Sequence, residues 1–460
     1  MDRSKRNFDW EAARLRRKIG ETSAVRGNAE NRQTGEDSQP RGNRRGAQNG
    51  SRPPRYVKRE QPPLAQPDGS LVGTIRVEMS PNLIEIHDPR ITKCELVGSY
   101  NWLDRKSPVI LIPGAPPKWT PLQGSTQLKK DAGDYFREPN AARWPKYPME
   151  PAIRAVFDRN PNFDGRTIDI VTCGGTMGNL YKFASSVPWD FQCFAHLVGN
   201  TLFLVRKERT PKEMIQGICG YGHTFPETYT SWDPTVKGSA TNQRIVRYEF
   251  GGLTFLVRFE SDGYLGDMVK TEDEKQNGKK VPDPSDLDIL TRNVAIGRFT
   301  PIISKTLEAQ HAGFDVPQEA IFDLKTRVWR KKVDMKEALP RLWARQIQNF
   351  VVAHHDGGVF RQDDIHIKKM KRGIETWEKE NETVLLRLAK VFGNLINCIK
   401  ESKAKNLLIH RNQKGPLELW ETSESSRSAL PTTLCAKWEG VGENGHDDDD
   451  DNGGGDYLLF

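Results

Sequence analysis

The chain has 460 residues, with 69 Lys and Arg against 61 Asp and Glu and a formal net charge of +8. Hydrophobic residues make up 36% of it, which is low for a chain folded over its whole length and predicts that part of it is unfolded. The six cysteines form no C-x-x-C pair, and no apolar run reaches the ~18 residues of a membrane helix. These features argue against a disulfide scaffold, a structural zinc site and a membrane protein, and they predict a soluble protein of a reducing compartment.

The excess positive charge lies in the first 60 residues, which hold 16 Lys and Arg and 8 Asp and Glu. This segment is also rich in Gly, Asn, Gln and Ser, which predicts a disordered basic arm over residues 1–70. Two interpretations stay open, an arm that binds RNA or directs the protein to the nucleus, and a solvated tail. At the other end, the run Asp447–Asp451 predicts a flexible acidic tail over residues 441–460.

The sequence between these ends predicts one large domain over residues 71–440, because it holds neither an internal repeat nor a Pro/Gly-rich linker. A polar, turn-rich stretch interrupts it, and we expect an insertion at about residues 266–318 that is partly helical.

A β-hairpin with two acids is predicted where a glycine pair separates two apolar runs. One strand ends at Phe250, the turn is at residues 251–252, and the second strand covers residues 253–264. Glu260 and Asp262 are two residues apart near its end, so they project from the same face. Two carboxylates on one side of a buried strand repel each other and lose hydration, which a divalent cation commonly offsets.

A second predicted strand, from Ala320 to Arg327, carries Asp323 and Lys325 on one face. Carboxylates on two such strands would hold Mg²⁺ or Mn²⁺, and a lysine beside them would orient a metal-bound water or stabilise the developing oxyanion. This combination is typical of metal-assisted phosphodiester hydrolysis. The alternative is that the acids form ordinary ion pairs at the ends of surface strands.

Further helices and strands are predicted after the strand that carries Asp323 and Lys325. A helix is predicted to lead through residues 342–346 into a strand that turns at residues 357–358. A long amphipathic helix, at about residues 376–402, and a strand at residues 406–410 complete the series.

The order of these segments resembles that of the DXO/Rai-type decapping exoribonucleases, a family with the PD-(D/E)XK nuclease fold. Its pattern is a G-Y-K-F-E-like segment, then E-x-D, E-L-K-T and W-x-Q-S. The corresponding segments here are GYGHTFPE at 220–227, FESD at 259–262, FDLKT at 322–326 and LWARQ at 342–346, preceded by VTCGGT at 171–176. The resemblance is to a divergent fungal member and extends over residues 75–420. It implies an α+β fold with a mixed, curved central β-sheet and flanking helices.

The resemblance also implies functional residues and a cofactor. The implied metal ligands are Glu227, Glu260, Asp262, Asp323 and Leu324. The implied catalytic residues are Glu260, Asp262, Asp323 and Lys325. The implied substrate-binding positions are Lys325, Gln346 and Gly174. The cofactor would be Mg²⁺ or Mn²⁺, and two ions are expected.

Three positions depart from the family pattern. The family's active-site arginine falls on Gly174, so one phosphate contact is missing unless another arginine supplies it. The replacements considered are Arg143, Arg154 and Arg258. The inserted Pro226 displaces Glu227, and Asp323 stands where the family has the longer glutamate.

The resemblance implies a nuclear, and also cytoplasmic, hydrolase of RNA 5′ ends that removes unmethylated, incomplete or non-standard caps. The implied partners are RNA 5′ ends and a 5′→3′ exoribonuclease or another RNA-processing protein, with no membrane. Two alternatives stay open. One is a catalytically degenerate relative that binds RNA or acts as a scaffold in nuclear RNA processing or silencing, and the other is a PD-(D/E)XK nuclease that acts on DNA.

Overall fold

A computed structural model of the protein describes residues 64–77, 88–133, 135–215, 217–269, 306–422 and 428–441. All of these residues lie within one compact unit, Arg59–Phe460. The predicted basic arm up to residue 63, most of the predicted insertion (270–305) and the predicted acidic tail from residue 442 lie outside the described residues. The predicted domain boundaries therefore stay predictions.

Strands dominate the described part of the chain. In chain order they are β1 (Ser70–Ile75), β2 (Thr92–Leu103), β3 (Val109–Gly114), β4 (Lys118–Trp119), β5 (Ser125–Gln127), β6 (Ile170–Cys173), β7 (Phe191–Val198), β8 (Thr201–Lys207), β9 (Thr230–Ser231), β10 (Ser239–Phe250), β11 (Leu253–Ser261), β12 (Gly263–Tyr264), β13 (Glu308–Gly313), β14 (Ile321–Val328), β15 (Asn349–Asp356), β16 (Val359–Lys369), β17 (Asn406–Arg411) and β18 (Leu417–Glu421).

The α-helices of the described residues lie between these strands and after the last of them. They are α1 (Pro139–Arg143), α2 (Glu150–Arg159), α3 (Gly174–Ala184), α4 (Thr224–Tyr229), α5 (Met335–Arg345), α6 (Lys371–Glu380), α7 (Glu382–Glu401) and α8 (Thr432–Glu439).

The described strands form two mixed sheets. The larger has the order β1-β18-β17-β7-β8-β6-β11-β10-β2-β3-β13, and the smaller has the order β5-β16-β15-β14-β12-β4-β9. Most neighbours are antiparallel, but β6 runs parallel to both β11 and β8, and β14 runs parallel to β15. Mixed β-sheet flanked by helices confirms the predicted fold class, although the strands are divided between two sheets.

Side-chain alternation along β11 separates two core layers. Phe255, Val257 and Phe259 are buried in a cluster with apolar residues of α3, α5 and α7. Leu256, on the opposite face, is buried in a second cluster with apolar residues of α2. Because side chains alternate with a period of two, Arg258 and Glu260 continue the face of Leu256.

The elements predicted around the acids are present. β10 and β11 form the hairpin with its turn at residues 251–252, β14 matches the predicted Asp–Lys strand, and α5 leads into β15 and β16. The predicted long helix is divided by Asn381, which separates α6 from α7. The Asn381 side chain donates a hydrogen bond to the Trp377 carbonyl and accepts one from the Tyr181 hydroxyl, so it caps α6 and ends it.

The chain crosses from the larger sheet to the smaller one directly after β11. Gly263, the first residue of β12, pairs with Phe322 of β14. A Cβ atom on Gly263 would lie 2.5 Å from the Phe322 ring and 2.7 Å from the Pro117 carbonyl oxygen. Since one obstacle is a buried ring and the other is backbone, only glycine fits this crossing. The crossing brings Asp262 against the smaller sheet.

Candidate metal and phosphate site

Three of the predicted acids meet where the two sheets join. Asp262 follows β11, and its Oδ2 accepts a hydrogen bond from the backbone N–H of Leu324 at 2.6 Å. Leu324 belongs to β14 and follows Asp323 directly, so β14 brings the second acid segment to the first. Glu260, two residues before Asp262, lies on the same side of its strand.

Glu260 ionises less readily than an ordinary glutamate. Its pKa is raised to about 7 because the surrounding protein reduces the hydration of the charged form and because Asp262 and Glu138 add negative charge nearby. The side chain is nevertheless accessible from outside. Gln243, its neighbour on β10, donates a 3.3 Å hydrogen bond to Glu260 Oε2. Glu260 is therefore exposed to solvent and has other carboxylates nearby.

Asp262 and Asp323 interact directly through their charges. Burial and the negative charge of Asp323 raise the pKa of Asp262 to about 7, against the Leu324 N–H and two arginines that lower it. Asp323 is only 2% exposed. Its Oδ1 accepts a 2.6 Å hydrogen bond from Arg341, and its Oδ2 accepts a 3.2 Å hydrogen bond from Arg345. The two arginines are four residues apart on α5, which places them on one face of that helix.

Lys325 follows Asp323 on the same face of β14, as predicted. Burial and the charges of Arg341 and Arg327 lower the pKa of Lys325, while Glu337 and Asp323 act in the opposite direction. A lysine with a lowered pKa gives up its proton more readily than a surface lysine, which suits a group that exchanges protons with water.

Arg345 also fills the space beside Gly174, which begins α3. A Cβ atom at position 174 would lie 3.2 Å from Arg345 Nε and 3.3 Å from its Cγ. The arginines considered from sequence as replacements have other partners. Arg143 donates to the Leu103 carbonyl, Arg154 pairs with Glu150 and Arg258 pairs with Glu138. Arg345 carries no signal in the sequence that marks it for this site, since only the docking of α5 against α3 brings it here.

Glu138 is a second residue that sequence reasoning missed. It is 8% exposed, precedes α1, and pairs with Arg258 of β11 at 3.0 Å and Arg206 of β8 at 3.8 Å. Burial opposes its ionisation, but these two arginines and the hydrogen bonds from Asn140 outweigh burial and lower the pKa of Glu138. No sequence spacing links residue 138 to residues 206 and 258, so this network can be recognised only from the tertiary fold.

Two other predicted site residues lie in different surroundings. Glu227, on α4, has a pKa raised to about 7 by burial and by the charge of Asp131. Gln346 ends α5 in the left-handed conformation, with φ +51°, and its side-chain amide donates to the Trp343 carbonyl at 2.7 Å. Their assignments as metal ligand and substrate contact stay predictions.

The acids fit a divalent cation in their chemistry. Carboxylate oxygens are preferred ligands of Mg²⁺ and Mn²⁺, and the raised pKa values of Glu260 and Asp262 reflect negative charge that a cation would neutralise. Across the described ranges, no group of three or more His, Cys, Asp or Glu side chains is already arranged around an ion position. Asp323 would share its two oxygens between a cation and the arginines that now donate to them.

Comparison with protein families assigns the chain to one of them. A family model described as a domain of unknown function, DUF8563, matches residues 85–437, more than half of the chain. The chain belongs to the DUF8563 family. No curated protein matches its sequence. None of the helices in the described part of this DUF8563 protein has the length and hydropathy needed to cross a membrane.

Solved structures that resemble this DUF8563 protein include Rai1 and Dxo1 proteins. Rai1 of Scheffersomyces stipitis, in complex with (3′-NADP)+ and calcium, is 13% identical with a TM-score of 0.48 and covers 82% of this chain and 100% of its own. Rai1 of Candida albicans, in complex with pU5-Mn²⁺, is 9% identical with a TM-score of 0.46 and the same coverage. Dxo1 of K. lactis, with manganese, is 8% identical with a TM-score of 0.42 and covers 78% and 97%. Rai1 and Dxo1 are members of the decapping family whose motif order the sequence resembles.

Proposed function

We propose that this protein is a divalent-metal-dependent hydrolase of RNA 5′ ends that acts on incompletely capped or non-standard capped RNA. The observation that carries the proposal is the convergence of Glu260, Asp262, Asp323 and Lys325 at the junction of the two sheets. The hydrogen bond from Leu324 to Asp262 and the raised pKa of Asp262 beside Asp323 support a single acidic site rather than separate surface ion pairs.

The metal in this proposal is Mg²⁺ or Mn²⁺, held by Glu260, Asp262 and Asp323. A cation there would lower the pKa of a bound water and neutralise charge on the phosphate that is cleaved. The protein's own groups supply the rest. Glu260 and Asp262 lose their protons near pH 7, so they are available as ligands at neutral pH. Lys325, on the same face as Asp323, would orient the attacking water or stabilise the oxyanion.

RNA is the proposed substrate because the motif order resembles that of RNA 5′-end hydrolases and because the sequence begins with a strongly basic segment. An exoribonuclease or another RNA-processing protein is the proposed protein partner. We also propose a nuclear location, shared with the cytoplasm, which imaging of the tagged full-length chain would test.

The test of this function is hydrolysis of four 5′-labelled RNAs that differ only in their 5′ end. The ends are triphosphate, unmethylated cap, methylated cap and monophosphate, each with and without Mn²⁺. The Glu260→Gln/Asp262→Asn variant removes two charges at nearly constant shape, and Glu375→Gln removes one from an exposed position on α6. We expect product only with metal, loss in the double variant, and normal activity in Glu375→Gln. Product that is independent of metal and of both acids would overturn the proposal.

A catalytically degenerate RNA-binding protein is the second candidate, and one observation favours it. Both oxygens of Asp323 accept hydrogen bonds from arginines, which offset the charge of this acid without a cation. This candidate predicts that none of the four RNAs is hydrolysed and that Asp262→Ala and Lys325→Ala bind RNA as the unaltered protein does. Cleavage of duplex DNA in preference to single-stranded RNA would support a DNA nuclease instead.

A further inference from the structure

Two arginines of α5 share Asp323 but do not have the same surroundings. Arg341 makes the shorter hydrogen bond, 2.6 Å against 3.2 Å for Arg345. Only Arg345 lies against Gly174, where the missing side chain leaves room for its Nε and Cγ atoms. The two guanidinium groups therefore differ in what holds them, although both come from one helix face.

Arg345 lies between the acidic site and the start of α3. Its guanidinium group donates to Asp323 at 3.2 Å, and its Nε and Cγ atoms lie beside Gly174. The Nε atoms of Arg341 and Arg345 are both buried without a hydrogen-bond partner among the described residues. The Arg345 side chain is 22% exposed and the Arg341 side chain 28%, so part of each guanidinium group is reachable from outside, and the contact with Gly174 is what distinguishes Arg345.

Asp323 would remain paired if Arg345 turned away. Arg341 would keep its hydrogen bond to Oδ1, so departure of Arg345 would not leave a buried carboxylate without a cation. If Arg341 turned away instead, Asp323 would keep only the longer hydrogen bond, the one from Arg345. Arg341 thus suits a permanent role at Asp323, and Arg345 suits an exchangeable one.

We propose that Arg345 is a phosphate-binding residue of this site, which contacts the 5′ phosphate of RNA from its place beside Gly174. This inference rests on the proposed function and names one residue that would bind the substrate. A planar guanidinium group offers paired donors that match phosphate oxygens. A phosphate that approaches the acids of this site also requires a nearby positive charge, and Arg345 lies 3.2 Å from Asp323 with part of its side chain exposed.

The decisive experiment compares binding of two RNAs of identical sequence, one with a 5′ monophosphate and one with a 5′ hydroxyl. Fluorescence anisotropy in EDTA measures both dissociation constants without metal or hydrolysis. We expect the unaltered protein to prefer the phosphorylated RNA, and Arg345→Ala to reduce that preference about 10-fold, as for loss of a charge-assisted hydrogen bond. Arg341→Ala, which removes the other arginine from Asp323, is expected to retain most of the preference.

A pair of glycine substitutions tests the same inference with Arg345 still present. A Cβ atom at position 174 would crowd Arg345, whereas a Cβ atom at Gly178, on the same helix, meets nothing within 4 Å. We expect Gly174→Ala to weaken the preference for the 5′ phosphate by roughly threefold through displacement of the guanidinium group, and Gly178→Ala to leave it unchanged. These variants keep the test usable if Arg345→Ala does not fold.

The outcomes separate this inference from the proposed function. Equal losses in Arg345→Ala and Arg341→Ala, or an equal loss for both RNAs in Arg345→Ala, would overturn the inference. A preference for the 5′ phosphate that depends on Arg345 in a protein that hydrolyses none of the four RNAs would uphold the phosphate contact and refute the hydrolase. Metal-dependent hydrolysis together with a preference for the 5′ phosphate that does not depend on Arg345 would uphold the hydrolase and refute the phosphate contact.

Discussion

Glu138 and Asp323 are both buried carboxylates held by two arginines, yet their surroundings differ in charge balance. Glu138 pairs with Arg258 and Arg206, and Arg206 also pairs with a second acid, Glu208. Arg137 also pairs with Glu208, so each acid of this network has arginine partners, and the pKa of Glu138 is lowered. It has the character of a closed structural ion-pair network.

The acids around Asp323 are not paired evenly with the cations nearby. Arg341 and Arg345 bind Asp323, but Asp262 and Glu260 stay close to it and to each other, and the pKa of each rises to about 7. The comparison shows that a carboxylate paired with arginine does not by itself identify a structural ion pair. Glu260 and Asp262 accept hydrogen bonds from neutral donors and have raised pKa values, and these two features identify the region that is suited to a cation.

The largest expected effect tests the closed network. Arg258→Met would leave Glu138 buried with only the more distant Arg206, and we expect a loss of about 3–5 kcal/mol in the free energy of unfolding. Arg345→Met should cost less than about 1 kcal/mol, because Arg341 remains on Asp323 and the Arg345 side chain is partly exposed. Chemical denaturation measures both. Equal losses would show that the two regions do not differ in this way.

The second prediction concerns Asp262, whose loss should affect stability and activity in opposite directions. Asp262→Asn removes a carboxylate with an unfavourable charge, so the metal-free protein should become more stable at pH 8. Hydrolysis should fall at least about 100-fold, since even groups that only orient metal ligands cost 10–100-fold when they are removed. Thermal unfolding and initial rates on the same preparation measure both quantities, and a destabilised variant would contradict an unfavourable charge at Asp262.

The third prediction is a pH dependence that differs between the two regions. Glu260 and Asp262 have pKa values of about 7 in the folded protein and about 4 in the unfolded chain. Their protonated forms favour folding, and this contribution is lost as the pH rises from about 4 through 7. Glu138, whose pKa is lowered, contributes stability above about pH 4.5 and loses it as the pH falls through its folded pKa.

Unfolding of the metal-free protein between pH 5 and pH 8 would measure this difference. The Glu260→Gln/Asp262→Asn variant should show a flatter decrease in stability. Glu138→Gln should lower stability at neutral pH but keep most of the decrease between pH 6 and 8, because Asp262 still titrates there. An unchanged slope in the double variant would mean that other groups titrate in this range.

The smallest expected effect concerns Glu227. The family resemblance implies that Glu227 binds the metal, but its charged neighbour in the structure is Asp131. We expect Glu227→Gln to change Mn²⁺ affinity less than about twofold, as for sites that do not share partners, while Glu260→Gln weakens it strongly. Calorimetric titration with Mn²⁺ would decide. A similar loss in both variants would restore Glu227 to the set of ligands.

The sequence predicted the parts of the site that depend on local pattern. Alternation and a glycine turn located Glu260 and Asp262 on one strand, and the same alternation paired Asp323 with Lys325. It could not locate Arg345 or Glu138, because their positions depend on helix docking and on pairing between distant strands. Asn381 and Gln346 show another limit, since each ends a helix through its own side-chain hydrogen bond, which hydrophobic periodicity does not report.

The crossing between the sheets at Gly263 affects when the acidic site can form during synthesis of the chain. The acids on either side of the crossing belong to different sheets, and Asp323 is synthesised about sixty residues after Asp262. A chain still emerging from the ribosome would therefore carry Glu260 and Asp262 without their partner strand. The acidic site exists only once β14 has docked beside β12, so a nascent chain that ends before residue 328 would lack it.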